Sequence, residues 1–295
     1  MKGTFVINLE PLGPFKFVSK PFILALTPIE ISQEGRKLVA WWKFDETEGD
    51  TATDSSGQNH SGTLIGGPQW QPSGGKIGGA LAFDGIDDYI DCGSREDLNL
   101  LGAVSVSAWI KLAGPAQDQK IVGNQDNASG GFKVGLFGNK LEMEVRDSSN
   151  VGISNRSVEG GTTLEPGVWY HVVGTYHQGE SMKTYVNAKL DREFTIPGML
   201  APSGGTLKIG CEPFYDLYWF NGLIDDLQIY NYPLAETEIA ALYSGESPPV
   251  VAQVKVPAVT EEEPEKKGNW IPISIVVAIA VVIGAAVIDK RKTAD

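Results

Sequence analysis

The chain has 295 residues, 35 of them glycine, and a net charge of −13 at neutral pH. That length holds one large β-sandwich with appendages, or two small domains. The acidic balance excludes a nucleic-acid binder, which needs a basic stripe to meet phosphates. Two cysteines, Cys92 and Cys211, are too few for a disulfide scaffold; a single bridge and two free thiols both stay open.

Residues 1–37 read as a lead-in without assigned function. Pro11, Pro14, Lys16, Lys20 and Pro21 interrupt every apolar run, so the continuous stretch of a signal peptide is not found there. From Leu38 the pattern turns β. Leu38, Ala40, Trp42 and Phe44 alternate with Val39, Trp41, Lys43 and Asp45, and apolar residues on both faces predict a central strand. A polar, glycine-rich loop follows from Thr47 to Gly67. Val104 to Leu112 alternates cleanly, and further strands are expected at Ile121–Asn124, Phe132–Phe137, Leu141–Arg146, Val168–His177, Lys183–Val186 and Leu207–Gly210. Short, regular strands without a long helical period predict an antiparallel, two-sheet β-sandwich of jelly-roll type.

The stretch Phe220 to Asn231 completes the set. Leu223, Asp225, Leu227 and Ile229 share one parity of an extended chain, which predicts a carboxylate on an otherwise aliphatic face. Such a group must be hydrogen-bonded, ion-paired or holding a cation. Leu234 to Tyr243 then reads as a short closing helix, with Ile239, Leu242 and Tyr243 inward and Gly245 as a stop.

This C-terminal stretch resembles the signature of laminin-G-like domains in the concanavalin-A-like lectin and pentraxin superfamily. Trp41 to Glu46, Asp54 to Gly57 with Asn59 to Gly62, Ala80 to Ile90, Ser105 to Lys111 and Trp169 to Tyr176 resemble other family segments in the right order. The resemblance spans residues 38–245 and implies a concanavalin-A-like sandwich acting as a binding module for a glycan or an extracellular protein. A structural or adhesive envelope component is the alternative, and a glycoside hydrolase comes third.

Composition changes after Gly245. Residues 246–269 are proline-containing and acidic, as expected of a solvated linker. Ile271 to Ile288 carries no charge, and at about 1.5 Å per residue it spans roughly 27 Å, close to a bilayer's hydrocarbon core. Residues 270–288 are therefore expected to form a single-pass transmembrane α-helix, with Trp270 at the interface. The basic residues Lys290, Arg291 and Lys292 place the 289–295 tail in the cytoplasm and the sandwich outside.

The residues bear on three kinds of chemistry. Calcium takes oxygen ligands from flexible loops. Asp54, Asn59 and Asp225 are the candidate ligands, and the resemblance implies that their two regions meet in space. Turn hydrogen bonding by the same residues is the other reading. Asp84, Asp87 and Asp88 read as hairpin-turn chemistry. Sugars are held by aromatic faces and planar polar groups; the aromatic run Glu212 to Trp219 supplies Tyr215 and Trp219, and Asn124 and Asp126 lie at another strand end. Catalysis is not expected. Glu142 and Glu144 share a strand face, yet Arg146 stands where the resembling glycosidases carry a further acid, so the pair reads as a solvated face.

Overall fold

The computed structural model of the chain describes residues 35–115, 118–126, 130–147, 154–195 and 200–246. The linker, the expected membrane helix and the tail lie outside the described residues, as does the lead-in before residue 35. Among the described residues no helix is long and apolar enough to cross a membrane.

The chain forms β1 (Leu38–Trp42), β2 (Thr51–Ala52), β3 (Gly62–Ile65), β4 (Gln69–Gln71), β5 (Ala80–Asp84), β6 (Tyr89–Asp91), β7 (Ala103–Leu112) and β8 (Asp118–Gly123). After these come β9 (Gly131–Phe137), β10 (Lys140–Asp147), β11 (Ser154–Glu159), β12 (Trp169–His177), β13 (Ser181–Val186), β14 (Lys189–Thr195), β15 (Lys208–Ile209), β16 (Asn221–Tyr230) and the helix α1 (Glu236–Tyr243). Sheet A runs β14-β13-β12-β7-β16-β5-β4, with β1 joined to β16; sheet B runs β11-β10-β9-β8-β15-β6-β3-β2. The strand pairs are antiparallel, as the alternating patterns predicted.

The core lies between the sheets. Val104, Val106, Ala108, Ile110 and Leu112 of β7 meet it from sheet A, and Phe132, Val134, Leu136, Leu141, Met143 and Val145 meet it from sheet B. Gly174 shows how closely the layers approach: a Cβ there would sit 2.9 Å from the Met143 sulfur. A second, smaller core lies on the outer face of sheet A, where Val173, Tyr185 and Tyr230 pack with Leu234, Ile239 and Leu242. The α1 helix thus closes one face of the sandwich. Glu238 fastens it by accepting from the Ala235 amide at 2.7 Å and from the Arg36 guanidinium at 2.8 and 3.0 Å. Tyr243 differs from its expected inward position; it is 42% exposed and lies over Trp109.

Two further expectations change, and the cysteine alternatives are resolved. β1 is not central: its strand partner is β16, with one added bridge from Trp42 to Asp54. A register shift between Leu38 and Ala40 breaks its alternation, so Val39, Ala40 and Trp42 all belong to the main core while Leu38 packs on the smaller. The Asp225 parity also breaks. The β16 register shifts between Asp225 and Gln228, and Asp226 takes a left-handed φ of 48°. This bulge turns Asp225 toward the outer side of sheet A while Leu227 and Ile229 still face the core. Finally, Cys92 and Cys211 are both buried and free. The β6–β15 register sets Lys208 opposite Asp91 and Ile209 opposite Ile90, so the cysteines sit about four residues apart along the ladder. At about 3.4 Å per residue, that exceeds the roughly 7 Å Cα limit for a bridge.

Candidate functional loop

Among the described residues, the loop between β15 and β16 carries the most exposed aromatic run. Phe214, Tyr215, Leu217 and Tyr218 are 48, 57, 49 and 45% exposed, although Glu212, Pro213 and Phe220 at its ends are buried. Exposure here does not come from looseness. The Glu212 amide donates to the Leu217 carbonyl at 2.7 Å, the Asp216 amide to Glu212 at 3.2 Å, and the Lys120 amide of β8 to Tyr218 at 2.9 Å. Asp216 and Tyr218 both hold left-handed backbones, φ 50° and 54°, a conformation that non-glycine residues keep only where surroundings enforce it.

The enforcement comes from ion pairs on the outer face of sheet B. The Lys133 ammonium of β9 lies 3.0 Å from Glu212 at the loop base and 3.3 Å from Glu144 of β10. Lys120 pairs with Glu142 at 3.1 Å and holds its ammonium 5.9 Å from the Tyr218 ring. Glu142 and Glu144 were expected on a solvated face; their side chains are only 13 and 12% exposed. Lysines from two neighbouring strands neutralise them, and that arrangement is invisible from the alternation of β10 alone. On the rim, Lys208 binds Asp216 and sits 5.0 Å from the Tyr89 ring. Burial works against the Lys208 charge, but the Asp216 hydrogen bond and charge outweigh it and raise its pKa.

The structure puts Tyr215 on the exposed crest. Trp219 is half-buried behind it, against Tyr89 at 5.8 Å. Asn124 and Asp126 do not join them, because they lie beyond the other end of β8. The Asn124 amide donates to the Leu98 carbonyl at 3.0 Å and accepts from the Phe132 amide at 3.1 Å, so both its ends are spent on backbone in a buried position. Asp126 accepts from the Gly204 amide at 2.7 Å, and its carbonyl accepts from Arg146. Phe214, Leu217 and Tyr218 were part of the aromatic run but not singled out; their exposure, set by the two left-handed residues, is what marks them.

Of the three expected cation ligands, Asp54 and Asn59 lie on the loop between β2 and β3, and Asp225 lies within β16. Asp54 accepts from the amides of Trp41 at 3.0 Å, Ser56 at 2.8 Å and His60 at 2.8 Å, and from the Ser56 hydroxyl at 2.8 Å. Burial opposes its ionisation, yet these bonds prevail and hold the carboxyl below its ordinary range. Four donors around two oxygens leave an environment suited to N–H and O–H groups. Asn59 belongs to the same turn, exposed and left-handed at φ 63°. Asp225 instead accepts from the amides of Lys76 and Ile77 at 2.7 and 2.8 Å, under the glycine-rich loop 74–79. Gly75 and Gly79 allow that approach, since a Cβ at Gly75 would meet the Gly79 carbonyl at 1.8 Å. Burial, with repulsion from Asp226 and Asp45, pushes the Asp225 carboxyl up to about 7 against the pull of the two amides. Asp84, Asp87 and Asp88 could together reach one ion. Asp84 accepts from the Ile86 amide at 2.8 Å and Asp88 from the Asp84 amide at 2.9 Å, the hairpin-turn chemistry expected of them.

The fold is a two-sheet antiparallel sandwich with a cluster of exposed aromatics on one strand-connecting loop. Residues 84–240 match the concanavalin A-like lectin/glucanases superfamily, and the chain belongs to it. Among solved structures, the chain is similar to domain 4 of AbnA, a GH43 extracellular arabinanase from Geobacillus stearothermophilus in complex with arabinotriose. The identity is 22% and the TM-score 0.56, over 71% of this chain and 100% of that one. The binding domain of Paraclostridial Mosquitocidal Protein 1 aligns at 19% identity and TM-score 0.56, and that of botulinum neurotoxin serotype G at 16% and 0.54. The chain covers 71% and 70% of itself in these two alignments but only 52% and 51% of the toxin domains, about half their length. Likeness at this identity concerns the fold. No curated protein matches the sequence.

Proposed function

We propose that the sandwich is a carbohydrate-binding module whose contact surface is the aromatic crest Phe214 to Trp219, carried outside the cell on the C-terminal anchor read from the sequence. The observation that supports it is a loop with aromatics about half exposed on a backbone braced by buried ion pairs. Preorganised aromatic faces bind with little ordering cost, and a sugar's C–H face stacks on them. The arabinotriose complex of the similar domain 4 of AbnA agrees with this reading. No catalytic step is assigned, because Glu142 and Glu144 are ion-paired beneath the loop. Calcium assistance at Asp54, Asn59 and Asp225 is the least supported part, given the donors that already surround Asp54.

The test is binding of the full-length chain to a panel of neutral and acidic oligosaccharides, arabinotriose included, with calcium and with chelator. Binding retained in chelator supports the module without the ion, and binding lost in chelator restores the ion. No binding in either arm, with the protein folded, rejects the reading in favour of a protein-contacting envelope component.

A further inference from the structure

The outer face of sheet A holds an unused set of polar atoms. Asp225 of β16 stands opposite Trp109 of β7, and Trp109 opposite His171 of β12, so three adjacent strands align these side chains in one row. All are enclosed, at 0, 3 and 1% exposure. Tyr243 of α1 covers the row, 5.5 Å from the Trp109 ring and 6.0 Å from His171, and the Lys76 ammonium lies 5.0 Å from Trp109.

Among the described residues, each of the three keeps one buried polar atom without a hydrogen-bond partner: Asp225 Oδ1, Trp109 Nε1 and His171 Nδ1. A buried polar atom left unsatisfied is destabilising, so three in one row need a common explanation. Their remaining atoms are already committed. Asp225 Oδ2 takes the Lys76 and Ile77 amides, and His171 Nε2 is 2.8 Å from the Ser107 hydroxyl. Among the described residues that hydroxyl meets no other acceptor, so it donates to Nε2, and the neutral imidazole carries its proton on Nδ1. Burial, which holds the His171 pKa down at about 4, keeps the ring neutral. The row therefore offers two N–H donors and one carboxylate oxygen.

We propose that one internal water molecule is bound in this seam, accepting from Trp109 Nε1–H and His171 Nδ1–H and donating to Asp225 Oδ1. A water has two lone pairs and two protons, and a buried one typically makes about three hydrogen bonds. A cation is the wrong occupant, because the indole nitrogen only donates and two N–H groups would point at it. An anion would face the Asp225 carboxylate, with Asp45 and Asp226 close enough to act on it too. The bound water links β16, β7 and β12 beneath α1, in a layer where side chains alone leave donors and acceptor apart.

The test is proton NMR on the full-length chain at pH 8, labelled with 15N at tryptophan and histidine, with Trp109→Phe used to assign the indole signal. The Trp109 Nε1 and His171 Nδ1 protons should both show cross-peaks to water of the sign given by a long-lived bound molecule. The His171 nitrogen shifts should report the proton on Nδ1. A missing water cross-peak at either proton, or a proton on Nε2, overturns the proposal.

Discussion

The two outer faces of the sandwich solve the same problem in opposite ways. Sheet A turns apolar residues outward and covers them with the chain's own helix, so Val173, Tyr185, Ile239 and Leu242 form a closed second core. Sheet B turns charges outward and satisfies them laterally, Lys120 with Glu142 and Lys133 with Glu144 and Glu212. A face sealed by its own chain has little left to offer a ligand. The ion-paired face instead holds up a loop whose aromatics stay open, which is why the binding surface is assigned there.

Breaking the ionic side should give the largest effect. Lys133→Ala strands two carboxylates with 12 and 6% exposed side chains. Losing one partner of a buried pair typically costs about 3–5 kcal/mol, to be read as a lower urea midpoint. Lys133→Met, which keeps the packing of the stem but not the charge, should remain well below wild type; recovery to wild type would mean that packing rather than charge braces the loop.

On the sealed side the matching change is Ser105→Ala. The Ser105 hydroxyl donates to the Tyr232 carbonyl at 2.7 Å and accepts from the Leu234 amide at 2.9 Å, tying β7 to the chain that enters α1. Loss of both bonds in a buried site should cost about 1–3 kcal/mol by the same denaturation measurement.

A third change separates the faces by pH. Burial raises the Asp225 pKa from 3.8 to about 7 in the folded state. Between these values the folded protein binds an extra proton at Asp225, so this group's contribution to stability should fall as pH rises from about 4 to 7 and level off above. The slope is at most about 1.4 kcal/mol per pH unit. His171, held down at about 4, contributes the opposite slope over much of this window, so the Asp225 contribution is read as the difference between wild type and Asp225→Asn, and identical profiles would place the titration elsewhere. The smallest stability effect belongs to the crest itself: Tyr215→Ala, at a 57% exposed position, should shift stability by less than about 0.5 kcal/mol.

Much of the architecture was legible in the chain. The alternation of Val104 to Leu112 marked a core strand because each inward residue is aliphatic, and Leu234 to Tyr243 marked the closing helix. Asp225 was legible as buried but not as to where, because its parity depends on the bulge at Asp226, whose left-handed backbone has no clear sequence signal. The crest was legible as an aromatic run, while its bracing was not. Lys120, Lys133 and Glu144 meet Tyr218 and Glu212 only after β8, β9 and β10 have paired. Asn124 and Asp126 looked like surface amide and acid for the same reason, since their backbone partners at Leu98 and Gly204 are far away in sequence.

The most direct measurement is titration calorimetry of the full-length chain and a Tyr215→Ala, Tyr218→Ala double variant against the same oligosaccharide panel, arabinotriose included. Removal of two central aromatic contacts should weaken any binding detected by at least tenfold, about 1.4 kcal/mol, with the unfolding midpoint almost unmoved. Equal affinity in the folded double variant would contradict the assignment of the crest as the carbohydrate-binding surface.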